Sequence, residues 1–161
     1  MNVLGFRHTG IVVKDMAAAL GFYRDLCGFD VLTDGVEGGP FIERLVNVPQ
    51  ASLRIVKLRV PGPLTPPRDA SPLPMFYGGV LELLQFLKPE MDLSSFQRLH
   101  KAGISHLALA VNDVDTLYAD WSRRGVQFNH APERSPGSNA KVAYAHDPDG
   151  TVVELVELKK G

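Results

Sequence analysis

One cysteine in 161 residues rules out an internal disulfide. That residue, Cys27, lies in Leu-Cys-Gly-Phe and reads as an inert buried thiol. Charge of one sign is also missing. Seventeen basic residues against 18 acidic ones leave a formal charge of −1, with no basic excess to draw nucleic acid or an anionic membrane. No apolar run approaches the roughly 18 residues of a membrane span, and the first fifteen residues hold no long apolar core of an export signal. A cytoplasmic protein is the resulting expectation. What is present is ordinary for a globular chain with a real core: 45% hydrophobic and 22% charged residues.

The informative feature is self-similarity. Residues 6–29 (FRHTGIVVKDMAAALGFYRDLCGF) and 104–128 (ISHLALAVNDVDTLYADWSRRGVQF) share one pattern. A constant offset carries His8 onto His106, Asp15 onto Asp113, Leu20 onto Tyr118 and Tyr23 onto Trp121; one extra residue brings Gly28 onto Gly125. Each copy opens with a strand. Alternation puts His8, Gly10 and Val12 on one face and Thr9, Ile11 and Val13 on the other. In the second copy His106, Ala108 and Ala110 oppose Leu107, Leu109 and Val111. The bulky face suits packing on a helix, and the histidine face is lined by small residues that leave room.

A helix follows in each copy. Asp15 and Asp113 are candidate N-caps. Met16, Ala19, Leu20, Tyr23 and Val114, Leu117, Tyr118, Trp121 recur at helical spacing, and Gly28 and Gly125 are plausible stops. Further strands are predicted over 52–60 and 80–87 in the first copy and 141–146 and 151–158 in the second. The last two join through Asp147-Pro148-Asp149-Gly150, a strong hairpin turn. The fold class is therefore α+β, two β-α-β-β-β modules over 1–90 and 103–161, with 88–102 joining them. The first copy is longer, and the excess falls in 33–79. Its Gly35, Gly38, Gly39 and its prolines at 61, 63, 66, 67, 72 and 74 read as a loop that shapes a substrate pocket.

Four polar residues occupy equivalent places in the two halves. His8 and His106 lie in the first strands, Glu82 and Glu154 in the last. Glu82 shares its face with Val80 and Leu84, and Glu154 with Val152 and Val156. An unpaired buried carboxylate costs several kcal/mol, and a cation is the simplest compensation. One divalent ion held by His8, Glu82, His106 and Glu154 suits Zn, Ni, Co, Fe or Mn. A hydrogen-bonded histidine and a solvent-facing glutamate are the bland reading of each residue taken singly. His100 and His130 read as surface loop residues, and His146 as a candidate for the mouth of the site.

The segments His8-Thr-Gly-Ile-Val-Val, Phe22-Tyr23-Arg24-Asp25, Leu81-Glu82-Leu83-Leu84, His106-Leu-Ala-Leu-Ala-Val and Asp147-Pro-Asp-Gly-Thr-Val-Val-Glu154 resemble the vicinal-oxygen-chelate superfamily. That superfamily includes glyoxalase I, methylmalonyl-CoA epimerase, extradiol dioxygenases and fosfomycin and bleomycin resistance proteins. The resemblance implies paired modules forming a cleft of curved mixed sheet around a metal, with the four residues above as ligands. It also implies a small-molecule substrate with neighbouring oxygens.

Three activities compete. A lyase, isomerase or epimerase moves a proton next to a metal-chelated carbonyl, with Glu82 or Glu154 as the catalytic carboxylate. A non-haem iron dioxygenase uses two histidines and one glutamate, against which Glu82 counts. A non-catalytic binding or resistance protein generally lacks the ligands. Glyoxalase-type enzymes usually carry an arginine in the first strand where this chain has Ile11-Val12-Val13. Epimerase-type enzymes place a glutamate base before the second strand, where the nearest candidate is Glu43. Arg44, Arg54 and Arg59 are either holders of an anionic group or solvent-facing charges. A homodimer is expected, with the site either inside one chain or shared between two.

Overall fold

In the computed structural model the described residues are 7–62, 79–90, 103–135 and 140–158. His100, most of the predicted connection and the prolines from 63 to 74 lie outside them. The chain divides into two compact units, Met1–Asp92 and Leu93–Gly161.

The first unit runs β1 (Thr9–Val12), α1 (Met16–Leu20), a π-helical continuation (Gly21–Leu26), β2 (Asp30–Gly38), α2 (Pro40–Val46), β3 (Ser52–Arg59) and β4 (Val80–Lys88). The sheet order is β1-β4-β3-β2, with β1 parallel to β4 and the other neighbours antiparallel. The second unit runs β5 (Leu107–Val111), α3 (Val114–Arg123), β6 (Glu133–Arg134), β7 (Ala140–His146) and β8 (Val152–Leu158). Its order, β5-β8-β7-β6, has the same pattern of directions. The α+β class and the repeated β-α-β-β-β unit are thus as the sequence implied.

Local chemistry explains the helices. The Asp15 carboxylate accepts from the amides of Ala17 and Ala18 at 2.8 and 3.1 Å. Asp113 accepts from the Thr116 amide at 2.9 Å and its hydroxyl at 2.7 Å, and these bonds hold the Asp113 carboxyl below its usual pKa. Both helices end on glycines that need positive φ, +76° at Gly28 and +88° at Gly125. The predicted stripe of α1 is buried throughout: Met16, Ala19, Leu20 and Tyr23. With Val56, Leu58, Leu81 and Leu83 it builds the core on one side of the first sheet. Val114, Trp121, Ala143, Ala145, Val153 and Leu155 are its counterparts in the second.

The first unit has a further layer that the sequence reading did not place. Where a loop was expected, the inserted segment begins with the end of β2, which holds Gly35 and Gly38, and continues into helix α2. Pro40 sits at its first turn, where a missing N–H is harmless, and Asn47 closes it in the left-handed conformation at φ 54°. Ile42 packs with Ala51 and Leu53, against Val46, Val48, Ile55, Leu84 and Phe86. Leu84 and Phe86 alternate with Leu83, so α2 covers the sheet face opposite to α1. Cys27 is half-buried, where the sequence implied a buried thiol; it caps the end of the π-helical segment, and its N–H donates to the Phe22 carbonyl.

A duplicated histidine–glutamate pair as candidate metal centre

Each unit brings one predicted histidine against one predicted glutamate. In the first, Gly10 of β1 is the register partner of Glu82 in β4. This places His8, two residues upstream of Gly10, on the same face beside Glu82. His8 Nε2 lies 3.3 Å from Glu82 Oε2. In the second, Ala108 of β5 partners Glu154 in β8, and His106 Nε2 lies 3.2 Å from Glu154 Oε2. The glutamates are the better-buried members: their side chains are 14% and 18% exposed, against 37% and 31% for the histidines.

The two separations test whether the pairs suit a metal. Ligands about 2.0–2.2 Å from one ion and about 90–110° apart lie about 3.0–3.5 Å from each other. Both pairs fall in that range. They are longer than the roughly 2.7–2.9 Å of an optimised charge-assisted hydrogen bond. The donor set of each pair is also chemically apt: an imidazole nitrogen beside a carboxylate oxygen suits a borderline divalent cation. Ser105 Oγ lies 2.8 Å from His106 Nδ1, which leaves Nε2 for the glutamate side.

Small residues keep this face open. A Cβ at Gly10 would meet Leu84 Cδ1 at 3.3 Å, and Gly10, Val12, Ala108 and Ala110 are exposed. Thr9, Ile11 and Val13 are half-buried or buried on the other face, as alternation required.

Two further side chains reach the glutamates, and neither was singled out from sequence. Lys57 of β3 is the register partner of Glu82, and its Nζ lies 3.4 Å from Oε1. Tyr144 of β7 is the register partner of Glu154 and donates a hydrogen bond to it. Burial, and then the Glu154 charge and that bond, push the Tyr144 phenol above its usual pKa. Each stands opposite a repeat-related glutamate, a pairing set by the register of two strands.

The other candidates are engaged elsewhere. Arg54 forms a two-pronged ion pair with Asp34, at 2.9 and 2.7 Å, which holds the Asp34 carboxyl below its usual range. Arg59 pairs with Asp30 at 3.5 Å. Arg44 is exposed on α2, and Glu43 is half-buried there. His146 Nε2 lies 2.8 Å from Asn129 Oδ1, beside the hairpin turn that Asp147 braces with bonds from the amides of Asp149 and Thr151. His130 is exposed, with Nδ1 2.6 Å from the Ala131 carbonyl oxygen. Among the described residues Asp113, Asp115 and Glu157 also bring acidic oxygens together. Their partners account for them: Glu157 Oε2 accepts from the Val114 amide at 2.9 Å, Asp113 caps α3, and Asp115 binds Lys141.

In each pair the histidine stands one residue before the first strand, not within it, and the glutamate lies in the last strand of two like-ordered sheets; this repeated pair points to one family, and residues 5–155 match its model. The chain belongs to the Glyoxalase/Bleomycin resistance protein/Dioxygenase superfamily. Among curated relatives it is 27% identical over 160 residues to a lactoylglutathione lyase of Schizosaccharomyces pombe, covering 97% of this chain and 48% of that protein. The chain thus spans about half the length of that relative. It is 28% identical over 159 residues to a lactoylglutathione lyase of Pseudomonas putida, covering 94% of this chain and 84% of the other. A glyoxalase family protein from Bacillus cereus superposes with a TM-score of 0.78 at 17% identity, over 99% of this chain and 97% of that one, and shares the fold. Among the described residues no helix is long and apolar enough to cross a membrane.

Proposed function

We propose that this protein is a divalent-metal-dependent lyase or isomerase of the glyoxalase type, moving a proton next to a chelated carbonyl. The observation that carries the reading is the His–Glu pair found twice, at 3.3 and 3.2 Å, at repeat-related positions. In this reading His8 and His106 supply Nε2, and Glu82 and Glu154 supply a carboxylate oxygen each, to one ion. When bound, the ion polarises the carbonyl of a substrate that presents two neighbouring oxygens. One of the two glutamates takes the proton from the carbon next to that carbonyl and gives a proton back to the same or a neighbouring carbon, so the net proton count is unchanged. Tyr144 donates its hydroxyl to Glu154, which orients that carboxylate. The lactoylglutathione lyase relatives support the class of chemistry.

The assembly is read as a homodimer, with each complete site drawn from two halves of one chain or of two chains. Mixing a His8→Ala chain with a Glu154→Ala chain restores activity only if sites are shared between chains. The chemistry is tested with a 2-oxo-aldehyde thiol adduct or a 2-hydroxy carbonyl compound in heavy water. Deuterium should enter the α-position with no uptake of oxygen. Oxygen consumed mole for mole with a catechol would replace this reading by the dioxygenase one.

A further inference from the structure

Lys57 sits in an interior strand, on the sheet face that carries His8 and Glu82. Its register partner is Glu82, whose two oxygens are divided between two neighbours. Oε2 lies 3.3 Å from His8 Nε2, and Oε1 lies 3.4 Å from Lys57 Nζ. The lysine side chain is 40% exposed, so it is within reach of a ligand from solvent. The repeat-related strand position opposite Glu154 holds Tyr144, a neutral hydrogen-bond donor. The two halves therefore match in His and Glu and differ in charge at the residue opposite the glutamate.

The three cationic residues noted on the inserted side of the first unit do not fill this role. Arg54 is committed to Asp34 and Arg59 to Asp30, and Arg44 is exposed on α2. Lys57 is the cation that the strand register sets against a candidate ligand. A dication held by two glutamates is neutral as a unit. A lysine ammonium against one of those glutamates makes the centre a net monocation, and a monocationic centre favours an anionic ligand over a neutral one.

We propose that Lys57 is a substrate-binding residue that selects an anionic chelating group, so that the preferred substrates are α-oxygenated carboxylates such as 2-hydroxy or 2-oxo acids. This rests on the metal reading of His8, Glu82, His106 and Glu154. Lys57 bonds the carboxylate oxygen that turns away from the ion, and in the free protein that place on the ammonium is taken by Glu82 Oε1.

The test uses the full chain loaded with Co(II), whose visible absorption reports ligands entering its coordination shell. Glycolate and glycolamide are the probes: they have nearly the same shape and the same neighbouring oxygens, and differ in charge. The native protein should bind glycolate more tightly than glycolamide. Lys57→Met, which keeps the apolar stem, should lose about tenfold in glycolate affinity and change less than about twofold for glycolamide. It should hold Co(II) at least as well as the native chain, because a repelling charge has gone. Lys57→Arg should recover most of the glycolate affinity. Equal losses for both probes, or no loss for either, would overturn the role of Lys57 while leaving the metal centre standing. Failure of the native chain to bind Co(II), or retention of Co(II) by His8→Ala, would overturn the metal reading and this inference together. Circular dichroism of each variant excludes misfolding as the cause.

Discussion

Replacing His8 by alanine separates what the His–Glu pair contributes to folding from what it contributes to metal binding. Without metal, the change removes a contact between side chains 37% and 14% exposed. Solvent screens such a pair, so its loss costs about 0–1 kcal/mol. For a chain of this size 1 kcal/mol is about 2–4 °C in Tm, so the metal-free variant should melt within about 4 °C of the native protein. With metal the difference grows. At an ion concentration about 100 times the native Kd, binding stabilises the fold by about 2.7 kcal/mol, a rise of about 5–11 °C. Removing one ligand of four should weaken binding about 100-fold or more, since even outer partners of a ligand contribute about 10–100-fold. At the same ion concentration the variant then gains about 0.4 kcal/mol or less, a rise of no more than about 2 °C. Differential scanning fluorimetry with and without Zn(II), Ni(II) or Co(II) reads both effects. His130→Ala, on an exposed turn, serves as the control and should keep the full rise. If His8→Ala kept the full metal-induced rise, the assignment of His8 as a ligand would be wrong.

Two other outcomes follow from the same geometry. Tyr144→Phe removes the donor to Glu154 and should cost about 1 kcal/mol near neutral pH, in the usual range for one hydrogen bond. The folded phenol has a raised pKa. Its contribution is therefore full below the unfolded value of about 10 and is lost as pH rises through the folded value, so native stability should fall above about pH 10. The variant should lose less over that window, as read by urea unfolding at about pH 9 and 11. Ile42 is 4% exposed where α2 meets the sheet. Ile42→Ala should lower the unfolding free energy of the first unit by about 2–4 kcal/mol, and protease cleavage near α2 should quicken; unchanged cleavage would mean that α2 is held by something other than this contact.

Much of the architecture was legible because it repeats and because strands alternate. His8 and His106 could be placed on the small-residue faces from sequence, since Ile11, Val13, Leu107 and Leu109 demanded the other side. The caps Asp15 and Asp113 and the glycines at 28 and 125 marked the helices through local chemistry that needs no tertiary context. Helix α2 was missed for the opposite reason. Gly38-Gly39-Pro40 reads as punctuation, and only the packing of Ile42 and Val46 on Leu53, Ile55 and Leu84 shows that the proline opens a helix. The two-residue strand β6 carries no periodicity to read. Lys57 escaped notice because a lysine in an alternating strand normally faces water. Its meaning depends on the register that sets it against Glu82, and register is a property of two strands that neither segment states alone.

On the proposed reading, the duplicated His–Glu pair holds an ion that enables proton transfer at carbon. The most direct measurement is α-hydrogen exchange in heavy water, followed by proton NMR, with the metal-loaded native protein beside its metal-free form and the Glu82→Gln and Glu154→Gln variants. Exchange should require the metal. It should fall by about 100-fold or more in whichever glutamine variant has lost the base, with the metal content of that variant retained. Exchange that proceeds equally without metal, or survives intact in both variants, would contradict the account.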